Sequence, residues 1–156
     1  MRHRMLVSAQ RAVVAATMLA AWPSAGMAQS EVEVRSAPLA AAVNVAATSE
    51  SVQLAGTVTL DPTLTPEGGE RYAMSYGCDV AGVGKGHTSG DDYQMGGHTS
   101  ASVMFDGPLP ATVAASCRVD LMHGAAIQRY DVAVEISLRS DGTVASLAVR
   151  NFVAAR

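Results

Sequence analysis

The stretch ATVAASCRVDL, residues 111–121, splits with a period of two. Val113, Ala115, Cys117, Val119 and Leu121 share one side, and Thr112, Ala114, Ser116, Arg118 and Asp120 share the other. Successive side chains of a strand point to opposite faces, so the stretch is a strand with one dry face and one wet face. The only other cysteine, Cys78, closes a second stretch of this kind, Arg71–Cys78, in which Tyr72, Met74, Tyr76 and Cys78 share a side. The expected arrangement is an all-β domain folded around this pair of strands.

The same period extends outward. Val52, Leu54, Val58 and Leu60 alternate with polar partners over 51–60, and Gly56 falls on their inner face, where a missing side chain predicts close backbone approach or a bulge. Asp61-Pro62 is expected to end that strand, and Pro66-Glu67-Gly68-Gly69 to form a turn. Ala101, Val103 and Phe105 resume the pattern, and Asp106-Gly107-Pro108 turns the chain into 111–121. Tyr130, Val132, Val134, Ile136 and Leu138 line a further strand. Asp141-Gly142 is a hairpin signal, after which Ala145, Leu147, Val149 and Val153 face inward. Toward the N-terminus, Leu39, Ala41, Val43 and Val45 line a segment that Pro38 separates from an alternating arm around Val32 and Val34. Residues 79–98 are the exception: six glycines in twenty residues, two histidines, and an expected long irregular loop.

Residues 1–28 have the form of a secretory signal. Arg2, Arg4 and Arg11 precede or flank an apolar run of eleven residues, 12–22, too short to span a bilayer, and Gly26-Met27-Ala28 places cleavage before Gln29. The expected mature chain is a single domain, 29–156, periplasmic or secreted, with no membrane anchor. Three of the 11 Lys+Arg and none of the 14 Asp+Glu lie in the signal, so the mature chain carries eight cations against fourteen anions. An acidic surface repels phosphate backbones, which argues against nucleic acid. Two cysteines in an exported chain are expected to pair as Cys78–Cys117, the competing reading being two free thiols.

Seven or eight short strands, Gly/Pro/Asp turns and no convincing helix predict a two-sheet, immunoglobulin-like sandwich of antiparallel strands with one disulfide. The stretches 51–60, 72–78, 99–105, 110–121 and 130–138, taken as strands B, C, E, F and G, resemble bacterial immunoglobulin-like modules of the fibronectin-III and PKD kind. The resemblance covers about two-thirds of the mature chain. It departs at Ala115, where that pattern has a tyrosine, and in lacking a buried Trp. It implies a binding or spacer module.

No nucleophile elbow, P-loop or H-E-x-x-H motif is present, and no catalytic residue or cofactor is expected. The tetrapeptide Gly-His-Thr-Ser occurs at Gly86 and again at Gly97, but adjacency in sequence does not make a base and a nucleophile face each other. His87 and His98, with Asp91 and Asp92, are the candidate metal ligands, although neither H-x-H nor H-x₃-H spacing is present. Tyr93 and Met95 are the candidate contacts of a binding loop, and Tyr93 and Phe152 the aromatics left outside the expected core. The function expected is a non-catalytic protein-binding or structural module whose partner is another exported protein. The alternatives are a strand-donating, fimbria-like assembly subunit and a metal-binding protein using His87 and His98.

Overall fold

The computed structural model describes residues 35–155. The expected signal segment and the arm at 29–34 lie outside them. The described chain is all β: β1 (Arg35–Val45), β2 (Glu50–Gly68), β3 (Arg71–Gly86), β4 (Asp92–Asp106), β5 (Ala111–His123), β6 (Ala126–Leu138) and β7 (Val144–Ala154). All seven form one antiparallel sheet in chain order. The expected two-sheet sandwich is therefore replaced by a meander that rolls into a nearly closed, barrel-like sheet. Periodicity reports which side of a strand is dry, and that is the same whether the dry side faces a second sheet or the far wall of the same one.

The interior is the alternating set. Val52, Val58, Leu60, Met74, Cys78, Cys117, Val119, Val132 and Ile136 are fully buried, while Gln53, Asp79, Ser116 and Arg118 stay at the surface. Cys78 and Cys117 form a disulfide with their Cα atoms 5.9 Å apart. Two strands that flank a third in an open sheet lie about 10 Å apart. Since β4 lies between β3 and β5 in the strand order, β5 has to fold over the inner face of β3, and the sheet curls.

Pro38 and Pro62 do not end strands as expected; β1 and β2 continue through them. Among the described residues β1 is paired only with β2, and proline is tolerated on such an edge. The segment 79–98 is not an irregular loop. β3 continues to Gly86, β4 starts at Asp92, and the two pair from Arg71↔Asp106 to Lys85↔Asp92. After Val80 the inward positions of β3 are Gly82, Gly84 and Gly86, so no apolar period marks the strand. The reason is space: a Cβ at Gly82 would lie 2.6 Å from the Met95 methyl and 2.7 Å from the Gly56 Cα, and one at Gly84 would lie 2.7 Å from Val52. Gly56 and Gly82 are register partners, so close backbone approach at Gly56 is confirmed.

Two register shifts in the β6–β7 ladder leave Ala145 and Arg150 without opposite numbers. Each bulge reverses the alternation that follows it. Phe152, not Val153, therefore turns inward, its ring 4.9 Å from that of Tyr130, and Val153 is half exposed.

Val119→Asp places an unpaired charge in the core and is expected to cost more than about 4 kcal/mol, enough to abolish folding. Arg118→Ala, one residue away on the wet face, should change stability by less than about 0.5 kcal/mol. Urea unfolding of both variants checks the register. The disulfide closes a loop with a sequence separation of 39. Its removal by Cys78→Ala with Cys117→Ala should cost about 4 kcal/mol, lowering the melting temperature by on the order of 10 to 20 °C in calorimetry.

Candidate functional site

The residues singled out from the sequence separate into two places on the β3–β4 hairpin. The first is its tight turn. Glu50, at the start of β2 and only 9 % exposed, projects its carboxylate into the turn 87–91. It accepts hydrogen bonds from the Ser89 N–H (3.1 Å), the Thr88 N–H (3.3 Å), the Ser89 hydroxyl (2.9 Å) and the Tyr93 hydroxyl (2.8 Å). Gly86 makes room for this, since a Cβ there would lie 2.8 Å from the carboxylate oxygens. The Ser89 N–H, the Tyr93 hydroxyl and the other donors together hold the Glu50 carboxyl below its ordinary value, against the opposing effect of burial. Tyr93 is buried; the Thr48 hydroxyl at 3.1 Å favours its ionised form, but burial and the charge of Glu50 outweigh that and push the phenol up.

Tyr93 stacks on His123 at 4.6 Å, and His123 Nε2 lies 3.4 Å from Asp91. These rings wall an open cavity of about 220 Å³ with Val45, Ala46, Thr48 and Ile127. Small-molecule sites usually run from about 300 to 1,000 Å³, so this one suits no more than a small fragment.

The binding-loop assignment of Tyr93 and Met95 is thus corrected: both point into the core from β4, with exposures of 1 % and 4 %. Their periodicity is that of a strand, concealed by the glycines opposite them. Nor are the histidines brought together. His87 sits in the turn, while His98 lies opposite Asp79, six residues along β4 from Asp92 and therefore roughly 20 Å away from that end. Asp91 faces His123, and Asp92 is paired with Lys85 at 2.8 Å. Among the described residues, no group of three or more His, Cys, Asp and Glu side chains is placed to hold a metal ion.

The second place is the outer face and free edge of β4. β4 and β5 pair only at Gln94↔Met122, Met95↔Leu121 and Gly96↔Asp120, and then part. Side chains close the inner end of the gap. The Tyr76 hydroxyl donates to the Ser116 carbonyl (3.1 Å) and accepts from the Ser116 N–H (3.2 Å), and the Arg118 N–H donates to Thr99 Oγ1 (2.7 Å). Ser116 therefore turns its backbone groups toward β4, and by period two so does Asp120. Its partner Gly96 turns its own toward β5, and His98, Ser100, Ser102 and Met104 follow in the same direction. From Gly97 to Asp106 this edge has no strand partner among the described residues.

On the outer face, His98 Nδ1 lies 2.7 Å from Asp79 Oδ1, and His98 Nε2 lies 3.2 Å from Ser100 Oγ. Ser100 was not singled out from the sequence. The available signal was the second Gly-His-Thr-Ser: in a strand, residues two apart share a face, so His98 and Ser100 meet. No protein-family model, curated protein or solved structure matches the chain.

Glu50 is held below its ordinary value of 4.5 in the folded state, so it contributes stability above that value and loses it as pH falls through the lowered one. Glu50→Gln should therefore melt lower than the parent at pH 7, and the difference should shrink steadily on acidification below 4.5. Melting temperatures of both proteins across pH 7 to 3 check this; a constant difference would mean that the charge does not hold the turn.

Proposed function

We propose that this is an exported protein-binding module, periplasmic or secreted, that takes an extended segment of another exported protein onto the free edge of β4. The observation that carries the reading is the unguarded state of that edge. Proteins blunt exposed strand edges with charges, prolines or bulges, because unpaired N–H and C=O groups recruit other strands. The two outermost strands of the sheet are guarded. β1 carries Pro38, and its Arg35 guanidinium bonds to the Val144 carbonyl of β7 at 3.1 Å. β7 carries the two bulges, at Ala145 and Arg150. The β4 edge from Gly97 to Asp106 reads GHTSASVMFD, with no proline, lysine or arginine and a carboxylate only at its last residue, and Ala101, Ser102 and Met104 are exposed.

Strand addition supplies main-chain hydrogen bonds for affinity, with alternate side chains for selection. The half-exposed Met104 and the stacked pair Tyr72–Phe105, with centroids 5.4 Å apart, offer apolar contacts on the two faces. β1 is paired to β2 along all its eleven residues, which favours accepting a strand over donating one.

The test is a comparison of the parent with the double variant Ser102→Lys, Met104→Lys, which places two edge charges on the exposed face. Its melting temperature should stay within a few degrees of the parent. A partner retained from the host's exported fraction by the parent should lose at least about tenfold in affinity for the variant, equivalent to about 1.4 kcal/mol. Equal retention by both proteins would place the binding surface elsewhere.

A further inference from the structure

We propose that Ser100 is an activated nucleophile that accepts acyl groups from unhindered carboxylic esters, with His98 as its general base and Asp79 as the residue that positions the imidazole. The hydrogen-bond directions follow from chemistry. An ionised carboxylate only accepts, so Asp79 Oδ1 at 2.7 Å places the imidazole proton on Nδ1 of neutral His98. Nε2 is then the bare nitrogen, and at 3.2 Å it accepts from the Ser100 hydroxyl. The proton to be removed is already aimed at the base, which is itself oriented by a third group, as nucleophilic activation requires.

The approach is open. Gly77 lies directly across from Ser100 on β3, and Gly96 is the outward position before His98 on β4. A Cβ at either would meet nothing within 4 Å. The two glycines leave a shallow notch beside the hydroxyl, and the unpaired N–H groups of Ser100 and Ser102 at the adjoining edge are the donors nearest to hand for a developing oxyanion. A site this exposed selects for accessibility of the carbonyl rather than for a particular side chain, which is why the substrate class is unhindered esters.

In the first step Ser100 Oγ forms a bond to the carbonyl carbon while its proton passes to His98 Nε2. The tetrahedral intermediate then breaks its bond to the alkoxy group, which leaves as the alcohol with the proton from Nε2. The product is an O-acyl serine; water attacks it by the same two steps and releases the carboxylic acid. No electrons are exchanged with any other group.

This proposal concerns the isolated protein and does not rest on partner binding. The probes are a fluorophosphonate, with the modified peptide identified by mass spectrometry, and p-nitrophenyl acetate. The native protein should carry the phosphonyl adduct on Ser100, Ser100→Ala should carry none, and His98→Ala should react at least about tenfold more slowly. That is below the 10²–10⁴ typical of general bases because water competes at an exposed pair. All three side chains are exposed, so the variants should keep the parent's melting temperature. Asp79→Glu, which restores an acceptor for Nδ1–H, should retain more reactivity than Asp79→Asn. Release of p-nitrophenol should fall in the same order. An adduct at another residue, or equal rates for the parent and His98→Ala, would overturn the proposal. Equal rates for Asp79→Glu and Asp79→Asn would remove Asp79 from it.

Discussion

The short span between β3 and β5 governs the rest of the molecule. Cys78 and Cys117 hold these strands at a Cα distance of 5.9 Å even though β4 stands between them in the sheet. A flat sheet cannot meet that distance, so the sheet rolls and β4 has to leave β5 after three residue pairs. Part of the freed backbone of β5 is satisfied by side chains, Tyr76 at Ser116 and Thr99 at Arg118. Among the described residues the freed backbone of β4 receives no such cover, and both functional proposals stand on that strand. The covalent link that closes the fold thus also exposes its edge.

Rolling the sheet sets a second constraint, on interior volume. Gly56 and Gly82 meet face to face, with the methyl of Met95 seated over both. Gly84 leaves room for Val52, Leu54 and Tyr93, and Gly86 for the carboxylate of Glu50. Packed interiors are dense enough that one added methylene is felt, so glycine here is a packing choice and not a sign of looseness. The polar end of this region obeys the same economy. A carboxylate so little exposed has to be fully hydrogen-bonded, and Glu50 gathers two backbone N–H groups and two hydroxyls around itself, ordering the turn that would otherwise be a loop tip.

The tetrapeptide Gly-His-Thr-Ser illustrates how little a local sequence settles. In its first copy Ser89 is a donor to Glu50 within a turn, and Gly90 adopts a positive φ of 73° that helps close it. In its second copy the same residues are extended, and His98 and Ser100 meet on one face of β4 with Asp79 beside them. The difference lies outside the tetrapeptide: one copy is opposite a buried carboxylate, the other opposite a strand. A shared sequence therefore produces a structural anchor in one place and a candidate nucleophile in the other.

Side-chain alternation determined the all-β class, the inner and outer faces of β2, β5 and β6, the turns at Gly68-Gly69 and Asp141-Gly142, and the close approach at Gly56. All of these are set by period two or by backbone freedom at a single residue, and both are local. The cysteine pairing was legible for a different reason, since a chain with two cysteines offers one intramolecular partner for each. Tertiary structure alone decided that one sheet rolls instead of two sheets stacking, because a dry face does not record what covers it. It alone decided that 79–86 and 92–98 are paired strands, because glycines chosen for volume erase the apolar period, and that Phe152 is inside, because the bulge at Arg150 reverses the alternation. It alone brought Asp79 to His98 and Ser100, because that contact depends on the register between β3 and β4, and register is a property of the assembled sheet.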